Sequence, residues 1–311
     1  MISELFHGNH ANPVMKKPYR RNVRVPPVAH YENFPVASFL CPHHLRAAIT
    51  AIYHFARTAD DLADEGQMDS TVRMINLRTY RHDLSATIEG HPCSGRWHPV
   101  FGPLYQAIIT HHLPPKPFFD LLDAFEQDVS FTHAERHYDT DAELMDYCQR
   151  SANPIGRLLL HLYGIEDETS LAQSDQICTA LQLINFWQDV SVDRARGRYY
   201  ISTDAMTRYQ VADADFLPDS TSQNATELIA AYASSARVTM LKGAQLALRI
   251  PGRAGWELRL VVQGGLRILD KIEAQGFTTW HLRPKLTLLD VPIMLWRALW
   301  MDVPGCDEDV T

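Results

Sequence analysis

The stretch Tyr53-His-Phe-Ala-Arg57-Thr-Ala-Asp60-Asp61-Leu-Ala-Asp64 is the best starting point for predicting the fold. Asp60 and Asp64 are four residues apart, so a helix of about 3.6 residues per turn places both carboxylates on one face. Helical steps back along that face lead to Arg57 and Tyr53. The stretch therefore predicts an apolar helix with one polar stripe of two carboxylates, a guanidinium and a phenol.

A second stretch further along the chain repeats the pattern. It reads Gln182-Leu-Ile-Asn185-Phe-Trp-Gln-Asp189-Val-Ser-Val-Asp193. Helical steps again place Asp193, Asp189, Asn185 and Gln182 along one stripe. The neighbouring residues are Leu, Ile, Phe and Trp, so we expect this helix to be buried.

The two stripes together predict a metal site. Buried carboxylates are unfavourable unless they are paired or bind a cation. Mg²⁺ prefers oxygen ligands and commonly binds one or two carboxylates, with water and substrate phosphates completing its coordination. We therefore expect two facing helices that share Mg²⁺. The alternative is that each cluster is a solvated acidic helix end.

Length and composition limit the remaining possibilities. The chain has 311 residues and a formal net charge of -8, which argues against a nucleic-acid partner. Its five cysteines are scattered and form no metal-binding spacing, which favours a reducing cytoplasm. We expect a polar, partly disordered leader over 1–27, one all-α domain over 28–290 and an amphipathic tail over 291–311. The aromatic, apolar tail leaves two alternatives open, packing against the body or peripheral contact with the inner membrane.

Helical spacing of apolar residues dominates the chain, and alternating strand patterns are nearly absent. Short turns rich in proline and glycine separate the segments, and the pattern predicts a helical bundle around a central cavity. The predicted helices cover 42–59, 70–89, 99–112, 118–131, 141–149, 155–163, 171–192, 226–248 and 254–275.

Four motifs in this order resemble the squalene/phytoene synthase family. They are the two aspartate stretches, Tyr147-Cys-Gln-Arg-Ser-Ala-Asn-Pro-Ile-Gly156, and Gly197-Arg198-Tyr-Tyr200. The resemblance begins near His30-Tyr-Glu-Asn-Phe34 and implies a class I isoprenoid-synthase fold. It also implies prenyl diphosphate substrates and a Mg²⁺ cofactor.

The resemblance also implies roles for individual residues. The Mg²⁺-diphosphate shell would comprise Asp60, Asp64, Asn185, Asp189 and Asp193. Diphosphate contacts would come from Tyr53, Arg57, Arg198 and Tyr200. Residues near the reacting isoprenoid would be His30, Asn33, Phe34, Tyr147, Ser151 and Gln182.

Several departures from the family pattern indicate one branch. Asn153 stands in a motif that usually has small residues, Gln188 stands where an arginine usually precedes the second aspartate motif, and Gly265 stands where a tyrosine is often found. These features resemble hydroxysqualene synthases of bacterial hopanoid biosynthesis, which convert presqualene diphosphate and water to hydroxysqualene. Asn153 could hold that water, or could only turn the chain before Pro154. The resemblance implies action beside a presqualene diphosphate synthase and a hydroxysqualene reductase.

Three rival interpretations remain at this point. The first is head-to-head condensation of two farnesyl diphosphates to presqualene diphosphate, dehydrosqualene or squalene. The second is an all-α nucleotide pyrophosphohydrolase, although those enzymes are expected to show glutamate-rich motifs. The third is a non-catalytic helical scaffold.

Overall fold

The computed structural model describes residues 41–64 and 68–301, and every regular element in these two ranges is helical. The all-α prediction is therefore confirmed. The first six helices are α1 (Arg46–Asp64), α2 (Ser70–Glu89), α3 (His98–His111), α4 (Lys116–His133), α5 (Asp141–Ser151) and α6 (Asn153–Leu162). The others are α7 (Glu168–Gln188), α8 (Val190–Ala195), α9 (Thr203–Arg208), α10 (Gln223–Gly243), α11 (Leu246–Arg249), α12 (Gly252–Ala274) and α13 (Val291–Leu299). A single 3-10 turn, Asp213–Phe216, lies between α9 and α10.

Local signals account for the best-predicted boundaries. Helix α2 has the predicted bounds because Asp69 caps its first turn by accepting a hydrogen bond from the Thr71 amide. Gly90 ends it in the left-handed conformation, with φ 73°. Helix α1 continues beyond the predicted residue 59 to Asp64, so both aspartates of the first stretch lie on it.

The predicted continuous helix over 171–192 is wrong. Helix α7 ends at Gln188 and α8 begins at Val190, because Asp189 leaves the helical region with φ -105° and ψ 15°. Backbone hydrogen bonds still connect Asp189 N to Asn185 O, and Asp193 N to Asp189 O. The fully buried Asp189 carboxylate binds Arg283, which comes from a distant segment and is not part of the helical pattern.

Two large apolar cores meet along α4. The first is built mainly by α1 to α4, with Phe55 and Phe118 among its fully buried rings. The second is built mainly by α5, α7, α10 and α12, with Trp187 at its centre. Helix α4 contributes Phe125 to the first core and Ala124 to the second, so the two aspartate stretches belong to different halves of the packing.

Close approach of α10 to α7 depends on Gly243. A Cβ atom at Gly243 would lie 2.5 Å from the Gln173 carbonyl oxygen, so this glycine allows α10 to pack directly on α7. A Cβ atom at Gly265 would lie 2.8 Å from Met240 Cε, the tip of a flexible side chain that would have to shift to admit a larger residue.

Charged side chains attach α13 to α12. The Asp290 carboxylate accepts hydrogen bonds from Arg267 at 2.8 Å and Lys271 at 2.7 Å. Burial raises the pKa of Asp290, but the hydrogen bonds from Lys271 and Arg267 outweigh this effect. They hold that pKa well below its usual range. Within residues 41–64 and 68–301, the helices are all too short or too polar to cross a membrane. The predicted leader over 1–27 lies outside the described residues. The predicted site residues His30, Asn33 and Phe34, which follow it, also lie outside them.

Candidate active site

The two predicted metal ligands of the first motif, Asp60 and Asp64, have buried side chains at the end of α1. Asp60 is 2% exposed, and the Asp64 side chain is 4% exposed. Arg57 lies one turn earlier, with its guanidinium 2.7 Å from Asp61 Oδ1 and 3.8 Å from Asp60 Oδ2. The arrangement places a positive charge directly beside carboxylates that burial alone would disfavour.

Arg198 connects the two motifs. Its guanidinium pairs with the Asp64 carboxylate, and Arg196 lies 3.8 Å from the same side chain. The Arg198 amide donates to the Asp193 carbonyl at 2.9 Å, which fixes the loop after α8 against the second motif. The loop that carries Arg198 therefore contacts both motifs, which lie far apart in the sequence.

The second motif has a basic partner that sequence reasoning missed. Arg283 donates to both carboxylate oxygens of Asp189, one of them at 3.2 Å. The adjacent Gln188 donates its side-chain amide to the Pro284 carbonyl at 2.6 Å. Arg283 therefore supplies positive charge beside Asp189 although position 188 is neutral. Its distance along the chain and its place in an irregular segment leave no spacing signal that could identify it.

A buried carboxylate on α4 was also missed. Asp128 accepts hydrogen bonds from the phenols of Tyr147 and Tyr200, the latter at 3.3 Å. Burial, together with the nearby charge of Asp60, raises the pKa of Asp128 to about 6. Burial and the Asp128 charge raise the pKa of both phenols, so they act as neutral donors. Asp128 follows Leu121 and Phe125 at helical spacing, and this place on the apolar face of α4 is the sequence signal that could have revealed it.

Four other predicted site residues, Tyr53, Ser151, Asn153 and Gln182, are buried, but their side chains have different surroundings. The Asn153 side-chain oxygen, on the first residue of α6, accepts a hydrogen bond from Thr179 at 3.0 Å. Gln182 donates to the Ser151 hydroxyl at 3.2 Å. Tyr53 is buried on the same helix as the first aspartate motif.

A small cleft opens beside the second motif. Its wall includes the acidic side chain of Asp193 and the guanidinium of Arg198. The ring of Tyr200, which also lines it, stacks on Phe186 with 3.9 Å between centroids. The cleft therefore joins a charged end to an aromatic wall.

The residues fit a Mg²⁺ site. The side chains of Asp60, Asp189 and Asp193 are buried, and carboxylate oxygens are the ligands that this ion prefers. Among residues 41–64 and 68–301, no three His, Cys, Asp or Glu side chains form a preformed metal cage. That pattern suits Mg²⁺, which commonly binds only one or two carboxylates and completes its coordination with water and phosphate oxygens.

The defining sequence pattern of squalene/phytoene synthases matches residues 28–290. The chain belongs to the squalene/phytoene synthase family. It is 40% identical over 178 residues to a hydroxysqualene synthase from Zymomonas mobilis, a match covering 56% of each chain. It is 28% identical over 176 residues to a presqualene diphosphate synthase from the same organism, covering 57% of this chain and 58% of the relative. The chain thus spans little more than half the length of these curated relatives.

Solved structures support the fold assignment. The crystal structure of a squalene synthase from Alicyclobacillus acidocaldarius is 35% identical, with a TM-score of 0.70, and the match covers 80% of this chain and 90% of that one. The class I isoprenoid-synthase fold and membership of this family of enzymes, both predicted from the motifs, are therefore confirmed. The roles of the individual site residues remain predictions.

Proposed function

We propose that this member of the squalene/phytoene synthase family converts presqualene diphosphate and water to hydroxysqualene and diphosphate. The observation that carries the proposal is the meeting of two buried aspartate motifs with Arg198 and Arg283. Clustered carboxylates and guanidiniums suit a diphosphate group together with divalent metal. Homologues named for prenyl diphosphate chemistry support this substrate class.

The metal would bind the side-chain oxygens of the two aspartate motifs. These ligands are Asp60, Asp64, Asn185, Asp189 and Asp193. When bound, Mg²⁺ would neutralise charge on the diphosphate and so favour its departure. Arg57, Arg198 and Arg283 lie beside the motif carboxylates, and their guanidiniums can turn to phosphate oxygens, which they bind with a matching planar geometry.

The reaction breaks the C–O bond to diphosphate, with the electron pair leaving on the diphosphate, and a cyclopropylcarbinyl cation remains. A ring carbon shifts onto the cationic carbon and the cyclopropane opens, which forms the central C–C bond and one C=C bond of the linear skeleton. The oxygen of one water bonds to the carbon that carries the positive charge after this rearrangement, and the water loses one proton to the released diphosphate or to solvent. The aromatic wall of Phe186 and Tyr200 offers the cation no strong nucleophile and limits the entry of further water.

The choice between water capture and farnesyl condensation rests on two supports. Identity to the hydroxysqualene synthase exceeds identity to the presqualene diphosphate synthase of the same organism, 40% against 28% over nearly equal lengths. Gln188 and Asn153 are also features of the proposed branch. The solved relative from Alicyclobacillus acidocaldarius is named a squalene synthase, so condensation stays as the second candidate. Family membership gives no support to the pyrophosphohydrolase and scaffold interpretations.

The test is a product analysis with purified protein and Mg²⁺ in the absence of NADPH. Presqualene diphosphate supplied in water labelled with ¹⁸O should give hydroxysqualene with one labelled oxygen, identified by mass spectrometry. The Asp189→Asn variant and a chelator-treated sample should release little diphosphate. Efficient conversion of farnesyl diphosphate to dehydrosqualene, with no alcohol from presqualene diphosphate, would instead assign the condensation reaction.

A further inference from the structure

The segment 198–200 carries two of the side chains that reach the candidate site. Arg198 pairs with the Asp64 carboxylate, and the Tyr200 phenol donates to Asp128 at 3.3 Å. Tyr199, between them, has different partners. Its ring stacks on the His137 imidazole, with 4.2 Å between centroids and 14° between planes. Neighbouring residues of this segment are therefore bound to separate parts of the molecule.

A guanidinium also lies over the Tyr199 ring. The central guanidinium carbon of Arg194 is 5.3 Å from the centroid of Tyr199 and 5.3 Å from that of Phe216. A cation placed over an aromatic face is attracted by the ring quadrupole. Arg194 is fixed in this place because it donates to the Asp213 carboxylate at 2.7 Å and to the Asp213 carbonyl at 3.0 Å.

Asp213 anchors both partners of the ring. His137 Nε2 lies 3.5 Å from one carboxylate oxygen of Asp213, and Arg194 binds the other oxygen. We call Tyr199, His137, Arg194 and Asp213 the Tyr199 clamp. His137 precedes α5, Arg194 lies on α8 and Asp213 begins the 3-10 turn. Three separate parts of the chain therefore meet around one ring.

Backbone hydrogen bonds hold only the two ends of this segment. The Arg198 amide donates to the Asp193 carbonyl, and the Thr203 amide donates to the Tyr138 carbonyl, each at 2.9 Å. Between these two bonds, the backbone of 199–201 makes no hydrogen bond to the backbone of any other described residue. Side chains must therefore hold 199–201, and the clamp acts on the residue next to Arg198.

We propose that Tyr199 is a positioning residue that, through its clamp, holds the Arg198 guanidinium where a diphosphate would bind. The inference rests on the proposed function only for the diphosphate group, which the condensation reaction shares. Without the ring, the segment can shift, and Arg198 spends less of its time beside Asp64. The ring itself acts through Arg198 and needs no contact with a reacting atom.

Calorimetric binding of inorganic diphosphate in the presence of Mg²⁺ tests this role without turnover. Tyr199→Ala should weaken diphosphate binding about fivefold, because losing one aromatic or cation–π contact changes an equilibrium by roughly this factor. Tyr199→Phe keeps the ring and its contacts, so its affinity should stay within about twofold of the wild-type value.

A double-mutant cycle separates positioning from a general structural effect. Arg198→Gln should itself weaken diphosphate binding about tenfold or more, through lost charge-assisted hydrogen bonds. Adding Tyr199→Ala to that variant should weaken binding further by less than about twofold, because the side chain through which the ring acts is already gone.

A matched control removes a tyrosine elsewhere. Tyr105 lies on α3 and is partly exposed like Tyr199, and Tyr105→Ala should bind diphosphate like the wild type. Circular dichroism and thermal unfolding show whether each variant is folded. If Tyr199→Ala does not fold, Asp213→Ala takes its place in the cycle, because this carboxylate anchors both partners of the ring and is 51% exposed. It should weaken binding only while Arg198 is present.

Four outcomes would overturn the proposal. They are wild-type affinity in Tyr199→Ala, an equal loss in Tyr199→Phe, additive losses at positions 198 and 199, and no binding of diphosphate by the wild type. Product analysis remains a separate measurement. A protein that follows the expected cycle but makes no hydroxysqualene from presqualene diphosphate would refute the proposed reaction and leave the role of Tyr199 standing.

Discussion

Replacing Asp128 with asparagine should make the protein more stable at neutral pH, although it removes a buried acidic group from the candidate site. Burial raises the pKa of Asp128 from the ordinary value of 3.8 to about 6. Its charged form is therefore favoured less in the folded protein than in the unfolded chain. Below pH 4 the carboxyl is neutral in both states, and its full contribution to stability is present.

That contribution is lost as the pH rises through the folded pKa. A pKa difference of about 2 corresponds to about 3 kcal/mol at 25 °C, so the wild-type free energy of unfolding should fall by about that amount between pH 4 and pH 7 through this group. An asparagine stays neutral throughout. Its carbonyl can accept from the Tyr147 phenol, and its amide can donate to the Tyr200 oxygen, so both contacts can survive in altered form.

Urea unfolding of both proteins at several pH values measures the effect. The quantity of interest is the difference in the free energy of unfolding between variant and wild type. The other carboxylates contribute equally to the pH dependence of both proteins, so their contributions cancel in this difference. Asp128→Asn should equal wild type near pH 4 and exceed its free energy of unfolding by up to about 3 kcal/mol near pH 7.5. Asp123→Asn, on the half-exposed side of the same helix, should differ by less than about 0.5 kcal/mol. A pH-independent difference for Asp128→Asn, or a loss of stability that grows towards pH 7.5, would refute the reasoning.

Four further variants test other contacts of the described residues. Asp189→Asn should lower turnover at saturating Mg²⁺ at least about a hundredfold while circular dichroism shows an intact fold, because it removes a charged oxygen from the proposed diphosphate site; wild-type turnover would contradict the assignment. Asn153→Ala should shift the product towards dehydrated hydrocarbons with diphosphate release largely kept, measured by mass spectrometry. If Thr179→Val gives the same shift, Asn153 acts through that hydrogen bond, whereas a normal product from Thr179→Val would indicate direct contact of Asn153 with water. Asp290→Asn should lower the free energy of unfolding at pH 7 by about 1.5–3 kcal/mol, through lost charge-assisted hydrogen bonds. Because the Asp290 pKa is depressed, the loss should shrink as the pH falls below about 4, and an undiminished loss at pH 3 would contradict this account.

Local signals in the sequence predicted most of the helices, whereas a metal site shared by the two motifs remains a prediction. Asp69 is the N-cap of α2 and Gly90 is its left-handed C-cap, so α2 has the expected bounds. The break at Asp189 could not be predicted in this way. Periodicity describes how one segment repeats, whereas the break accompanies a carboxylate bound by Arg283 from a segment far along the chain. Tertiary contacts of this kind override local propensity.

Only some of the buried polar residues were predicted, because the others depend on tertiary contacts. The aspartates and Arg198 belong to motifs whose spacing is visible in the sequence. Asp128 is different, because its environment depends on two phenols from other elements, Tyr147 on α5 and Tyr200 in the loop after α8. Its place on the apolar face of α4 is a signal, but that signal does not identify the partners that satisfy the carboxylate.

The neutral residue at position 188 and the distant Arg283 are two parts of one arrangement. A guanidinium immediately before Asp189 would belong to the rigid end of α7. Here the charge instead comes from a segment that Gln188 holds through the Pro284 carbonyl, so Gln188 affects the Asp189 carboxylate by placing Arg283. Charge at the second motif therefore depends on the position of residues 283–284, which the hydrogen bond from Gln188 holds.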